Sequence, residues 1–366
     1  MERIALIIGE NVIYWRPLLM IAAVITSACF FVAFYTQKGG SAFCAALTVP
    51  LALVLSVTLS RFVHWYCRFD NYESFRSAMT DYSTGGYALV GVFAGCFITA
   101  LILRLLLISR DLFAMLDSMC IAGSAGIAIG RLSSFFDSTD RGPILENIRT
   151  LPWVYPVTNP VSGVQENRLA IFLIQAIIAG VLFLILLVFF LVPRKKKRLP
   201  GGDVTLLFLL IYGASQAILD SLRYDSLFFR SNGFISMVQV FSAVIVVFVA
   251  IIFSVRIVKK RGMRLWYFAL WSVIAGALGL AGYMEYYIQR HGSEAAFGYT
   301  VMTCSLAIVV LIVLVIRLLC PLPHAEHTAS RNGKFLNTNT AVRKKYSDEN
   351  PSDSDDLDWI AILMGE

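Results

Sequence analysis

Nine apolar runs divide this chain, and they leave little choice of fold. A helix needs roughly 20 apolar residues to cross the hydrocarbon core of a bilayer, and it closes its own backbone hydrogen bonds there, so each run reads as a span. They extend from Leu18 to Tyr35, Ala42 to His64, Gly86 to Ile108, Leu112 to Gly130, Leu169 to Val192, Val204 to Asp220, Phe234 to Val258, Leu265 to Tyr287 and Gly298 to Leu319. The expected fold class is all-α, a polytopic transmembrane helical bundle. Composition agrees, since 58% of the residues are hydrophobic and only 15% charged, more apolar than a water-soluble domain of this size.

The formal net charge of +7 is concentrated rather than spread. Five cations fall between Arg194 and Arg198, and five more between Arg256 and Arg264. Clusters at span ends mark topology and not a nucleic-acid footprint, because Lys and Arg there are retained in the cytoplasm. The exits of the fifth and seventh spans are then cytoplasmic and the N-terminus outside. The segments Trp65 to Gly85, Arg131 to Arg168 and Ser221 to Gly233 face out, and the tail after Cys320 faces the cytoplasm. The first twenty residues carry Glu2, Arg3, Glu10 and Arg16 with no small-residue cleavage site, so no removable signal peptide is expected. Seven cysteines, most of them inside apolar runs, lack metal-ligand spacing and read as packing residues, so no metal is expected. The tail is polar, with an acidic run from Asp348 to Asp358, and its composition predicts disorder. Its apolar end, Leu357 to Met364 with Trp359, Ile360 and Ile362, is a candidate docking segment for a cytoplasmic partner.

There is no Walker loop, serine elbow or dinucleotide fingerprint, and no cofactor is expected. The informative residues are Arg61, Arg131 and Arg223, at the outer ends of spans beside Gly, Ser, Asn or Asp. A guanidinium holds a phosphate bidentately, and membrane lipids place phosphate at that depth. The alternative is that these arginines snorkel to the interface or pair with Asp70, Asp137, Asp220 or Asp225. His64, beside Trp65 and Tyr66, reads either as part of an interfacial aromatic belt or as a proton-transfer group.

Four segments taken in order resemble prolipoprotein diacylglyceryl transferase: Ser60 to Asp70, Gly85–Gly86 with Gly91, Gly130–Arg131 through Phe135 to Gly142, and Tyr212–Gly213 leading to Asp220, Arg223 and Leu227. Gln239 falls on a further family position. The resemblance covers residues 10 to 258. It divides the chain into a seven-span domain at 1–258, an additional transmembrane hairpin at 259–319 and a tail at 320–366. It implies transfer of diacylglyceryl from phosphatidylglycerol onto the thiol of a prolipoprotein lipobox cysteine in a bacterial cell membrane, with phosphate held by Gly130 and Arg131, by Tyr212 and Gly213, and by residues at Gln216, Asp220, Arg223 and Arg61.

The departures lie within that site. Where the family has His or Tyr, four residues after the Gly-Gly pair, this chain has Val90, which leaves His64 or Tyr87 to take the thiol proton. The family's second active-site Arg is replaced by Gln216, the Glu that follows by Asp220, the Asn after Gly-Arg by Ser134, and the Glu at the start of the fifth span by Gln175. The Tyr of the first span is absent, with Arg16 and Pro17 near its place. Two readings stay open: a divergent transferase built on Arg131, and a non-catalytic relative that binds lipid or lipoprotein segments and acts through its C-terminal extension. A transporter with inverted repeats is a third, but the sequence has no internal symmetry.

Overall fold

The computed structural model describes residues 4–8, 11–81, 86–109, 111–137, 139–145, 153–158, 163–191, 201–229, 232–291 and 295–320. The basic run 194–198 and the tail from 321 onward, with its expected docking segment, lie outside the described residues. Met1–Val192 and Gly201–Pro321 make up one unit.

Helices stand at all nine expected spans. They are α1 (Trp15–Gln37), α2 (Ala42–Cys67), α4 (Leu89–Leu105), α5 (Leu112–Leu132), α6 (Ile171–Leu191), α7 (Asp203–Ser221), α8 (Met237–Arg261), α9 (Leu265–Arg290) and α10 (Ala295–Leu319), with a short α3 (Phe75–Thr80) between α2 and α4. Eight are long and apolar enough to cross a membrane, and the chain is a multi-pass membrane protein. The ninth, α4, has 17 residues. It starts three residues later than the sequence predicts, because Gly86 sits in the left-handed region at φ +84° and turns the chain before the helix begins.

Local chemistry fixes several helix starts. Ser41 caps α2 by accepting from the Cys44 amide at 3.1 Å, and Asp111 caps α5 by accepting from the Phe113 and Ala114 amides. Ser236 and Gln239 form a reciprocal capping box at the start of α8. Gln239, a family position in the sequence, is therefore also a structural residue.

Packing follows small residues and apolar faces. α4 lies so close to α2 that a Cβ on Gly91 would run into the backbone of Ser60, and one on Gly95 into that of Ser56. The approach lets Ser60 Oγ donate to the Ala88 carbonyl at 2.8 Å. The hairpin α9–α10 packs on α7 and α8 through Leu210, Val249, Phe253, Val309 and Val313. Polar contacts tie it down at both ends. Arg317 donates to Asp203 at 3.1 Å, while Ser221 Oγ donates to Glu285 at 2.8 Å and the Tyr299 hydroxyl to the Ser221 carbonyl at 3.2 Å. Arg256, which the sequence places in a cluster that only marks topology, also donates to Asp203.

Among the described residues, three two-stranded antiparallel ribbons accompany the helices, none of them marked by the hydropathy pattern: β1 (Ile4–Ile8) with β2 (Asn11–Tyr14), β3 (Val154–Thr158) with β4 (Gln165–Leu169), and β5 (Phe228–Phe229) with β6 (Asn232–Ser236). The second bears on the site. It follows the loop after α5, and the Leu169 carbonyl accepts from the Gly142 amide at 2.8 Å, which folds that loop back over the bundle end.

Candidate functional site: paired guanidiniums at one end of the bundle

Arg131 is the last residue but one of α5, which continues into a 3₁₀ turn, Ser133–Phe136, so its guanidinium stands at the end of the bundle. The chain then turns back at Asp140, a non-glycine residue in the left-handed region at φ 55°. That conformation aims the carboxylate inward. Asp140 Oδ1 accepts from Arg131 Nη1 at 2.8 Å and from Arg223 Nη2 at 2.7 Å, and Oδ2 accepts from Ser134 Oγ at 2.7 Å. Burial alone would raise the Asp140 pKa, but the two guanidiniums outweigh it and hold the carboxyl well below the usual carboxylate range.

Arg223 lies just beyond the end of α7. Its Nε donates to Asp225 Oδ1 at 3.0 Å and its Nη1 reaches Asp220 Oδ1 at 3.5 Å. Asp225 Oδ2 in turn accepts from the Asp140 amide at 3.1 Å, and Asp220 accepts from Ser236 Oγ. Burial opposes the charge of Arg223, yet these three carboxylates raise its pKa, so it stays protonated throughout the working range. Arg131 is less committed. It donates to Asp140 and lies within hydrogen-bonding reach of the Tyr212 hydroxyl, and 15% of its side chain remains exposed; five N–H groups leave further donors for an anion.

Tyr212 and Gln216 line the same face of α7 as Asp220, at successive i, i+4 positions. Tyr212 is buried, stacked on Phe208 and edge-on to Phe93 of α4, with its hydroxyl in the electrostatic reach of Arg131. Gln216 Oε1 accepts from Gln175 Nε2 of α6 at 3.1 Å. Gly130 and Gly213 have room for a Cβ, each at ordinary contact distance from its neighbours, so close packing does not explain either glycine.

A second cluster gathers the other candidates. Arg61 is buried and donates to the Gly86 carbonyl at 3.1 Å, to the Tyr72 hydroxyl at 3.4 Å and to the Asp81 carbonyl. Its guanidinium lies over the rings of Tyr72 and Tyr87. His64 Nδ1 bonds the Tyr72 hydroxyl at 2.9 Å. A Cβ on Gly86 would collide with both His64 and Tyr72. Tyr87 is exposed. Arg61, His64 and Tyr87 thus form one group, and Arg131, Tyr212, Gln216, Asp220 and Arg223 another.

Of the two structural alternatives for the arginines, pairing holds for Arg223, with Asp220 and Asp225. The acid that joins Arg131 to Arg223 is Asp140, which the sequence reading passed over. Arg141 was missed as well. It is fully buried, donates to the Ser134 and Asp137 carbonyls and lies over the rings of Tyr155 and Phe172 at 4.3 and 4.4 Å, pinning the loop in place. Burial pushes its pKa down. The adjacent Asp140–Arg141 pair nine residues after Arg131 was the available signal. On the same loop, Arg16 pairs with Asp137 and Trp15 stacks on Phe136.

Residues 3–256 match the prolipoprotein diacylglyceryl transferase family. The chain is similar to the phosphatidylglycerol–prolipoprotein diacylglyceryl transferase of Streptococcus pneumoniae strain JJA, with 27% identity over 186 residues, 50% of this chain and 68% of the relative. It is also similar to that of strain Hungary19A-6, with 26% identity over 205 residues, 54% of this chain and 75% of the relative. The helices α9 and α10 lie beyond the matched residues. The match spans more than half of the chain, through every segment that builds the Arg131 site, and on that ground the protein belongs to the prolipoprotein diacylglyceryl transferase family.

Proposed function

We propose that this chain transfers the diacylglyceryl group of phosphatidylglycerol to the thiol of a lipobox cysteine in an exported prolipoprotein. The observation that carries this is Arg131, whose guanidinium has more N–H donors than Asp140 uses and is held by that acid beside Arg223. In the reaction the thiolate sulfur bonds the terminal glyceryl carbon of the lipid. The bond between that carbon and its phosphate oxygen breaks, and glycerol phosphate leaves with the electron pair. Arg131 and Arg223 meet the charge on the departing phosphate. The thiol proton goes to a base, for which His64 is the first candidate. Tyr72 engages its Nδ1, so Nε2 is the atom offered. Tyr87, exposed beside it, is the second.

The remaining assignments follow. Arg61 supports this site indirectly, since its bonds to the Asp81 and Gly86 carbonyls set the loop that carries Tyr87. The basic runs support a cytoplasmic-membrane orientation with the Arg131 end outward, where lipid phosphate and exported peptide meet.

The test is reconstitution in phosphatidylglycerol liposomes with a lipobox peptide, following thioether lipidation by mass spectrometry. Lipidation that vanishes with Arg131→Ala and falls with His64→Ala is the expected result. Lipid binding that depends on Arg131 without any transfer overturns the enzymatic reading and leaves a lipid-binding relative.

A further inference from the structure

The hairpin α9–α10 lies beyond the residues that the family match covers, yet it reaches the turn of α7 that carries part of the site. Asp220 and Ser221 are the last two residues of α7, and Arg223 follows them. Around this turn the site and the hairpin take different residues. Asp220 and Arg223 bond each other and Arg223 bonds Asp140. Ala217 and Ile218 pack on the hairpin cluster built around Met284 and Met302, and Ser221 is bonded to the hairpin twice. Its Oγ donates to Glu285 Oε2 at 2.8 Å, and its carbonyl accepts from the Tyr299 hydroxyl at 3.2 Å.

Both bonds answer a need of the helix end. The last carbonyls of a helix have no intrahelical donor, and Tyr299 brings one to Ser221 from outside. A serine hydroxyl inside a helix commonly turns back to the carbonyl four residues earlier, which bends the helix. Here that carbonyl belongs to Ala217 and accepts from Gln239 Nε2 at 3.4 Å, while Glu285 draws the Ser221 hydroxyl away from it. Glu285 is itself buried, and its other oxygen is taken up by Gln289 Nε2 at 3.3 Å. We infer that Glu285 and Tyr299 are positioning residues for the lipid transfer proposed above: through Ser221 they fix the last turn of α7, and with it the placement of Asp220 and Arg223. The inference rests on that reading. A catalytic constellation has to be held within about 0.5 Å of its productive geometry. Charge on the departing phosphate grows as the ester bond breaks, so a displaced Arg223 weakens the transition state more than the bound lipid, whose phosphate Arg131 already holds.

The test uses the full-length protein with a lipobox peptide and phosphatidylglycerol diluted into phosphatidylcholine liposomes, reading kcat and the lipid KM beside the melting temperature. Glu285→Leu and Tyr299→Phe are expected to lower kcat about three- to tenfold, the scale of one hydrogen bond, with KM within about twofold of wild type. Glu285→Gln, which keeps an acceptor for Ser221, is expected to recover most of the loss. Arg317→Met frees the other end of the hairpin and is expected to lower the melting temperature with kcat unchanged, which separates a loosened hairpin from a displaced turn. Tyr299→Phe removes one hydroxyl only and decides the matter where Glu285→Leu does not fold. An unchanged kcat in Tyr299→Phe, or in a folded Glu285→Leu, overturns the inference and leaves the transfer reading intact. A Glu285→Gln as slow as Glu285→Leu overturns it too, as does an Arg317→Met that loses as much kcat. Absence of lipidation by wild type overturns the transfer reading and this inference with it.

Discussion

Asp140 stands between Arg131 and Arg223, accepting from the first at 2.8 Å and from the second at 2.7 Å through one carboxylate oxygen. One acid therefore sets the separation of two cations contributed by α5 and by the segment after α7. Asp140→Asn should leave two buried guanidiniums repelling each other, and breaking a buried pair by removing one partner costs roughly 3–5 kcal/mol. The expected outcome is a lower melting temperature in detergent together with loss of lipid transfer. Asp140→Glu, which keeps the charge, should retain more of both.

The pH dependence of that contribution can be worked out. The carboxyl of Asp140 is held below its ordinary value, so the stability it adds is fully present above the pKa it has in the unfolded chain, about 3.9. It is lost only as pH falls through the depressed folded value. The difference in unfolding free energy between wild type and Asp140→Asn should then be flat from about pH 5 to about pH 8. Denaturant melts across that window check this, and a difference that shrinks between pH 7 and pH 5 would sink it.

Gly86→Ala should damage the second cluster. The residue holds φ +84°, which costs an L-residue roughly 1–2 kcal/mol, and the added methyl meets His64 and Tyr72. If His64 is the proton acceptor, lipidation should fall more than lipid binding, and a KM-against-kcat comparison reads the split. An equal fall in both would remove His64 from the reaction.

Arg317→Met should loosen the hairpin from α7. Arg317 and Asp203 are both buried, but Arg256 remains on Asp203, so the cost should stay below the roughly 3–5 kcal/mol of an orphaned buried charge. Pairing Arg317→Met with Arg256→Met should exceed the sum of the single changes, as expected for residues that share one partner. Thermal melts of the two single variants and the double variant measure it.

The helices were legible because span length and hydropathy belong to one segment at a time. Leu265 to Tyr287 and Gly298 to Leu319 could be placed without knowing their neighbours. Gly130–Arg131 was legible as a motif, and so was the Tyr212–Gly213 segment. Asp140 was not, because its role depends on a loop folding back nine residues after Arg131 and on Arg223 arriving from another helix. Asp203 joins residues 53 and 114 positions away, and no local pattern announces such a partnership. The ribbon β3–β4 escaped for a different reason. Its strands are five residues each and sit in a loop of ordinary polarity, where a two-residue periodicity is too short to stand out.

The clamping of α7 at both ends, by Arg317 on Asp203 and by Glu285 and Tyr299 on Ser221, bears on how a lipid gets in. Under the proposed function, a phospholipid would reach the site sideways, leaving its tails in the bilayer while the head slides between helices. One flank of α7 is covered by the α9–α10 hairpin, bonded to it near both ends. On the proposed reading, lipid entry is then expected on a side of the bundle that this hairpin does not cover.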